Sequence, residues 1–243
     1  LLMTKENSSN IVGIIHARGG SKRTPLKNLK LLNGIPLIGY MIKAALGSKL
    51  MQRVIVSSDH QEIIRISRDF GAEVPFVRPT ELSEDVPSEY VTQHAVKYLE
   101  EETFQKIDIV VTLQPTTPFC TSEDIDACIK ILLDNPDLES AVTSRKIHER
   151  PEWMFSVDGY KAHLFMEGEY GGERGVVQSL PDMCIPNGAA FATKRDVLFE
   201  KNLIITNPTG IHIMSLEKSI DIDEPIDFKI AEFIAQHQDK IIK

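Results

Sequence analysis

Cysteine is scarce in this chain. There are three, Cys120, Cys128 and Cys184, and none belongs to a C-x-x-C pair. An odd, sparse set excludes a disulfide-built scaffold and offers no zinc-ligand spacing; it fits a reducing compartment. Long apolar runs are also missing. No stretch approaches the roughly 18–20 residues that cross a bilayer, and the opening LLMTKENSSN lacks the apolar core of a signal peptide. A cytoplasmic location is expected, with Met3 read as the natural start. Positive charge is in deficit: 27 Lys and Arg stand against 35 Asp and Glu, a net −8. That balance disfavours nucleic acid and anionic membrane as partners. Internal repeats are absent too. The 243 residues, 42% hydrophobic and 26% charged, suit one large globular domain, with or without a small lobe.

The chain alternates strand and helix patterns. Short β-branched runs at 11–16, 53–58, 73–77, 108–113 and 140–144 read as strands. Amphipathic segments at 36–49, 61–70, 89–102 and from Ser122 onward read as helices. This order predicts an α/β fold with a Rossmann-like, mostly parallel sheet. Residues 146–186 break the pattern and read as an excursion. Regular structure resumes at 187–193, 211–214 and 220–223 and in a last helix over 225–237. The expected division is a tail (1–10), a main domain (11–145 and 187–243) and a small lobe (146–186).

An acidic chain that binds an anion needs a local basic patch, and one is present. Arg18, Lys22, Arg23, Lys27 and Lys30 fall within 13 residues that contain no acid. Gly19 and Gly20 let backbone N–H groups approach a ligand. The loop follows a buried strand, the usual ligand location in open α/β sheets. Neither GxxxxGK[ST] nor GxGxxG is present, so the loop is not a Walker A motif and not a dinucleotide fingerprint. A solvated basic turn is the competing reading. Near the C-terminus, SIDIDEPIDF alternates Ile220 and Ile222 with Asp221 and Asp223. On a strand both carboxylates share one face, as two hard ligands for Mg²⁺ beside a triphosphate would. Alternatively, Asp223 caps the following helix. Gln114 ends a strand before Pro115-Thr116-Thr117-Pro118; its amide could read a ligand edge or close its own turn. Arg78 is a site residue or a surface ion pair. His16 reads as structural rather than as a base.

The run IIHARGGSKRTPLKN resembles the opening of the acylneuraminate cytidylyltransferases, the CMP-sialic acid synthetase family. Ala17, Arg18, Ser21, Lys22, Pro25, Lys27 and Asn28 match its pattern. The resemblance continues in RVIVSSD, AEVPFVRPTELSED, LQPTTP, PNGAAF and IMSLEKSIDIDEPIDF. It implies a cytidylyltransferase that couples CTP to a sialic-acid-like sugar acid, with Mg²⁺ on Asp221 and Asp223 and a homodimer built through the lobe. It implies Arg18, Lys27, Asp221 and Asp223 as catalytic residues. Ala17, Gly19, Gly20, Ser21, Lys22, Asn28, Arg78, Ser88 and Gln114 would bind nucleotide. Gln114, Gln178 and Phe191 would bind the sugar. The sugar side departs from the family pattern. Val177 and Trp153 stand where a cation is usual, Phe191 where Tyr is common, and Glu89 where the second of two serines is usual. Lys146, Arg150 and Arg174 are the candidate substitutes. These changes point to a different nonulosonic acid. The alternatives are transfer to another sugar acid or small alcohol, or a nucleotide-binding protein without turnover.

Overall fold

Fully buried β-branched strands need cover on both faces, and the helices supply it. The computed structural model describes residues 9–20, 24–166 and 182–237. In chain order, β1 (Ile11–His16) leads through the basic loop to a short hairpin, β2 (Leu31–Leu32) and β3 (Ile35–Pro36). Then come α1 (Leu37–Leu46), β4 (Arg53–Ser57), α2 (Gln61–Asp69), α3 (Ser88–Thr103), β5 (Ile109–Leu113), α4 (Ser122–Asp134) and β6 (Ser140–Lys146). A second hairpin, β7 (Phe155–Asp158) with β8 (Lys161–Leu164), precedes β9 (Cys184–Lys194). The chain closes with α5 (Arg195–Glu200), β10 (Gly210–Met214) and α6 (Pro225–Gln236). The main sheet has the order β10-β6-β9-β5-β1-β4; only β9 runs antiparallel to its neighbours.

The strand period of two sorts the core. Ile11, Ile15, Val54, Val56, Val111 and Leu113 pack on one face with α1, α2 and α4 residues such as Ile38, Ile63 and Ile125. Val12, Ile14, Ile55 and Val110 pack on the other with Ala95, Val96 and Leu99 of α3. Ile14, Ile15 and Leu113 are fully buried, and each such side chain contributes roughly 1.5–3 kcal/mol of transfer free energy. A third cluster joins Leu32 and Leu37 to Ile222 and to Ala231 and Ile234 of α6.

Three sequence expectations, and one of the alternatives, need correction. Residues 73–77 make only one bridge, Glu73 to Ile55, because Pro75 has no N–H to continue a ladder. Residues 220–223 join no sheet; the Ile222 N–H donates to the Thr116 carbonyl of a loop (2.8 Å). The cap of α6 is Glu224, which shares a capping box with Asp227, so Asp223 does not cap the helix. The main sheet also claims residues assigned to the excursion: Arg145 pairs with Ile185 and Lys146 with Cys184. The three cysteines are free, and burial pushes the Cys128 thiol up to about 12.

Asp124 ties three elements together. Its carboxylate accepts from the Thr121 N–H (3.0 Å), closing the capping box of α4. It also accepts from His212 Nε2 of β10 and Lys218 Nζ, each at 3.1 Å. Burial alone would raise its pKa, but the bonds from His212, Thr121 and Lys218 hold it well below the ordinary carboxylate range. A depressed pKa gives stability that is complete above the unfolded value and is lost as pH falls through the folded one. Asp124→Ala should lower the unfolding free energy by about 2 kcal/mol in urea titrations at pH 7. The gap from wild type should shrink below about pH 4. An unchanged midpoint at pH 7 would contradict this account.

Candidate active site

The site is built where β4, β1 and β5 end. The loop after β1 is fastened from below and from the side. The Ala17 N–H donates to the Ser57 carbonyl (3.0 Å), and Ala17 itself is buried in the core. The Gly19 N–H donates to Asp59 Oδ1 (2.8 Å). Asn28 Nδ2 donates to the Arg18 carbonyl (3.0 Å). Ala17 and Gly19 therefore shape the loop, and their N–H groups are already taken. A side chain at position 19 would put its Cβ 2.8 Å from the Cβ of His60, so only glycine sits there without displacement. Gly20 is open on its outer side. Ser21 and Lys22, expected in the nucleotide site, lie outside the described residues, as does Gln178.

The loop overhangs a cavity of about 570 Å³. His16, Arg18, Lys27, Asn28, Arg78, Ser88, Gln114 and Asp223 line it, with Leu82, Glu84, Asp85 and Val86 from the loop before α3. Leu82, Glu84 and Asp85 fall in the VRPTELSED stretch, and nothing in the sequence marked Val86. The cations meet acids from outside the loop. Arg18 Nη2 lies 2.7 Å from Asp85 Oδ1. Lys27 Nζ donates to the Ile222 carbonyl (2.6 Å) and to Asp223 Oδ1 (3.1 Å). Asp59, which carried no mark as a site residue in the sequence, accepts from the loop's backbone through its carboxylate.

Arg78 is not a surface ion pair. It is 5% exposed, and its Nε and Nη2 donate to Ser57 Oγ (3.0 Å) and the Ser57 carbonyl (2.5 Å). Burial, with the nearby Arg18 charge, lowers its pKa to about 10 against the pull of Asp59, so it stays cationic near neutrality.

Asp221 and Asp223 flank the fully buried Ile222. Burial raises the Asp221 pKa despite a bond to Thr116, and the Asp223 charge adds to the shift. Gly188, at φ 81°, leaves space beside Gln114 Oε1, Thr117 Oγ1 and Asp221 Oδ2, all within 3.8 Å of where a Cβ would stand. Two hard carboxylates that repel each other suit a hard divalent cation that takes its other ligands from phosphate oxygens. Among the described residues no group of three or more His, Cys, Asp or Glu could hold a metal by itself.

A second cavity of about 270 Å³ adjoins the first, sharing Ser88 and Gln114. Phe191, Ile204, Ile205, Thr112 and Glu89 complete its wall. Ile204 and Ile205 carried no signal in the sequence. Lys146 and Arg150 line neither cavity, and Arg174 and Val177 lie outside the described residues.

A basic glycine loop over the end of a mostly parallel sheet, with two adjoining cavities, defines a nucleotidyltransferase. More narrowly, the chain belongs to the cytidylyltransferase family, whose model matches residues 12–161. It is 32% identical over 229 residues to CMP-N,N'-diacetyllegionaminic acid synthase of Legionella pneumophila, covering 91% of this chain and 94% of that protein. It is 28% identical over 222 residues to pseudaminic acid cytidylyltransferase of Campylobacter jejuni, again covering 91% and 94%. In structure it resembles a CMP:2-keto-3-deoxy-manno-octonic acid synthetase complexed with CTP. That match has a TM-score of 0.70 and 20% identity, covering 94% of this chain and all of the other.

The fork that Arg78 places on Ser57 cannot be copied by an ammonium. Arg78→Lys should weaken CTP binding about 30-fold, roughly 2 kcal/mol, in isothermal titration calorimetry. An unchanged Kd would remove Arg78 from the nucleotide site.

Proposed function

We propose that the enzyme couples CTP to a nonulosonic sugar acid and releases the CMP-sugar and pyrophosphate. The observation that carries this reading is the pair of cavities meeting at Gln114. One is walled by cations and carboxylates, as a triphosphate requires. The other has an apolar wall of Phe191, Ile204 and Ile205, which suits an acid sugar with an acyl or deoxy substituent.

The sugar's anomeric hydroxyl attacks the α-phosphorus in line with the departing pyrophosphate. Positioning and charge neutralisation supply most of the catalysis. Arg18 faces the cavity from the loop and offsets charge at the reacting phosphate. Lys27 holds the Asp223 carboxylate and the loop in one frame. Asp221 and Asp223 would hold Mg²⁺, which when bound neutralises phosphate charge. Gln114, between the cavities, orients the acceptor. Ser21, Lys22 and Gln178 complete the proposed site on the strength of the resemblance. The enzyme acts as a homodimer in the cytoplasm. Val157, Tyr160 and Phe165 of the β7–β8 hairpin region are 73%, 95% and 70% exposed, an apolar surface of the kind a second subunit covers. Among the described residues no helix is long and apolar enough to cross a membrane.

Pyrophosphate release from CTP and Mg²⁺, measured across legionaminic, pseudaminic and sialic acids, should reveal at least one acceptor. CTP binding without release on any acid would refute the proposed reaction. Arg18→Ala should lower kcat by 10²–10³, about 3–4 kcal/mol, and a rate within twofold of wild type would remove its role. Asp221→Ala should abolish the Mg²⁺ dependence of the residual rate.

A further inference from the structure

One residue on the nucleotide cavity wall has no part in the assignments above. His16 ends β1 in register with Ser57 of β4. Ile14 pairs with Thr112 of β5, so two residues further on His16 and Gln114 project on that same face. The ring thus stands between Arg78, held by Ser57, and Gln114. Val91, Leu82 and Val86 line the same cavity and offer apolar contact for a flat ring.

Its protonation is set by a short chain of hydroxyls. Thr92 Oγ1 donates to the Ser88 carbonyl one turn back in α3 (3.1 Å). Its single proton is then committed, so its two lone pairs accept. Thr112 Oγ1 and His16 Nε2 each lie 3.0 Å from that oxygen; with the Thr92 proton assigned to Ser88, both are donors to it. That assignment puts the ring proton on Nε2 and leaves the lone pair on Nδ1. No described residue bonds to Nδ1. Burial, and then the Arg78 charge, lower the ring's pKa to about 3, so the lone pair persists across the neutral range.

We propose that His16 is a base-discriminating residue: its Nδ1 accepts an N–H from the exocyclic amine of cytosine and repels the carbonyl oxygen that uracil carries there. Arg78, which offers only donors, suits the acceptors N3 and O2 on the same edge. The proposal rests on the CTP reading above and adds to it the atom that selects the base.

The test compares CTP, UTP and the triphosphate of pyrimidin-2-one riboside, which lacks the 4-amino group but keeps the ribose. Kd is measured by calorimetry and kcat/KM by pyrophosphate release. Wild type should favour CTP over the pyrimidin-2-one analogue about tenfold. His16→Leu should lose that tenfold on CTP and leave the analogue unchanged. Thr92→Val keeps the ring and releases its tautomer; it should reduce the CTP to UTP ratio several-fold, a shift that a merely structural role would not produce. The proposal is overturned if wild type binds CTP and the analogue equally, or if both variants keep the wild-type ratios. If no acceptor yields pyrophosphate while the Kd ratios behave as expected, the transfer reaction fails and the role of His16 stands.

Discussion

One ammonium joins the two charged halves of the site. Lys27 leaves the basic loop and reaches the Ile222 carbonyl and the Asp223 carboxylate, 195 and 196 residues away in the chain. Ile222 is fully buried against Leu32, Leu37 and α6, which anchors the backbone between the two carboxylates. The loop and the acidic segment therefore hold each other in place. Each loop contact differs in strength. Arg18 and Asp85 are partly open to solvent, 33% and 54% exposed, and such pairs contribute only about 0–1 kcal/mol. A phosphate can displace Asp85 at little cost. The Lys27 side chain is 11% exposed and holds a backbone carbonyl as well, so it acts as frame rather than as a loose cation.

The net charge of −8 takes on a local meaning here. The sequence shows a loop without acids, but folding supplies them from three other segments. Asp59 takes the Gly19 N–H, Asp85 meets Arg18, and Asp223 meets Lys27. The cavity is a set of opposed charges rather than a bare cationic nest. It is suited to a ligand that carries several negative charges and brings a cation with it.

What could be read from the sequence was local in period. The α/β alternation, the loop after β1 and the alternation around Ile222 depend on neighbours within a few residues. Arg78, Gln114 and Phe191 were singled out and do line the cavities. What escaped depends on contacts far apart in the chain. Ile220 to Asp223 has the period of a strand, yet its hydrogen bond goes to a loop carbonyl at Thr116. The Asp59 contact spans 40 residues, and the partner of His16 lies 76 residues away. Ile204 and Ile205 have no periodic setting that would mark them as a wall.

The one antiparallel strand places the excursion. In an antiparallel pair the end of one strand lies beside the start of the next. β6 ends at Lys146 and β9 begins at Cys184, its register partner, so the intervening chain leaves and re-enters at the edge where β1 and β5 deliver the loop and Gln114. Four residues into β9, Gly188 turns at φ 81° against Gln114, Thr117 and Asp221. A parallel β9 would carry its first residues to the opposite edge and leave Gln114 without this neighbour. The sheet direction thus fixes one consequence: the excursion, with its exposed apolar side chains, is rooted at the sheet edge that carries the site.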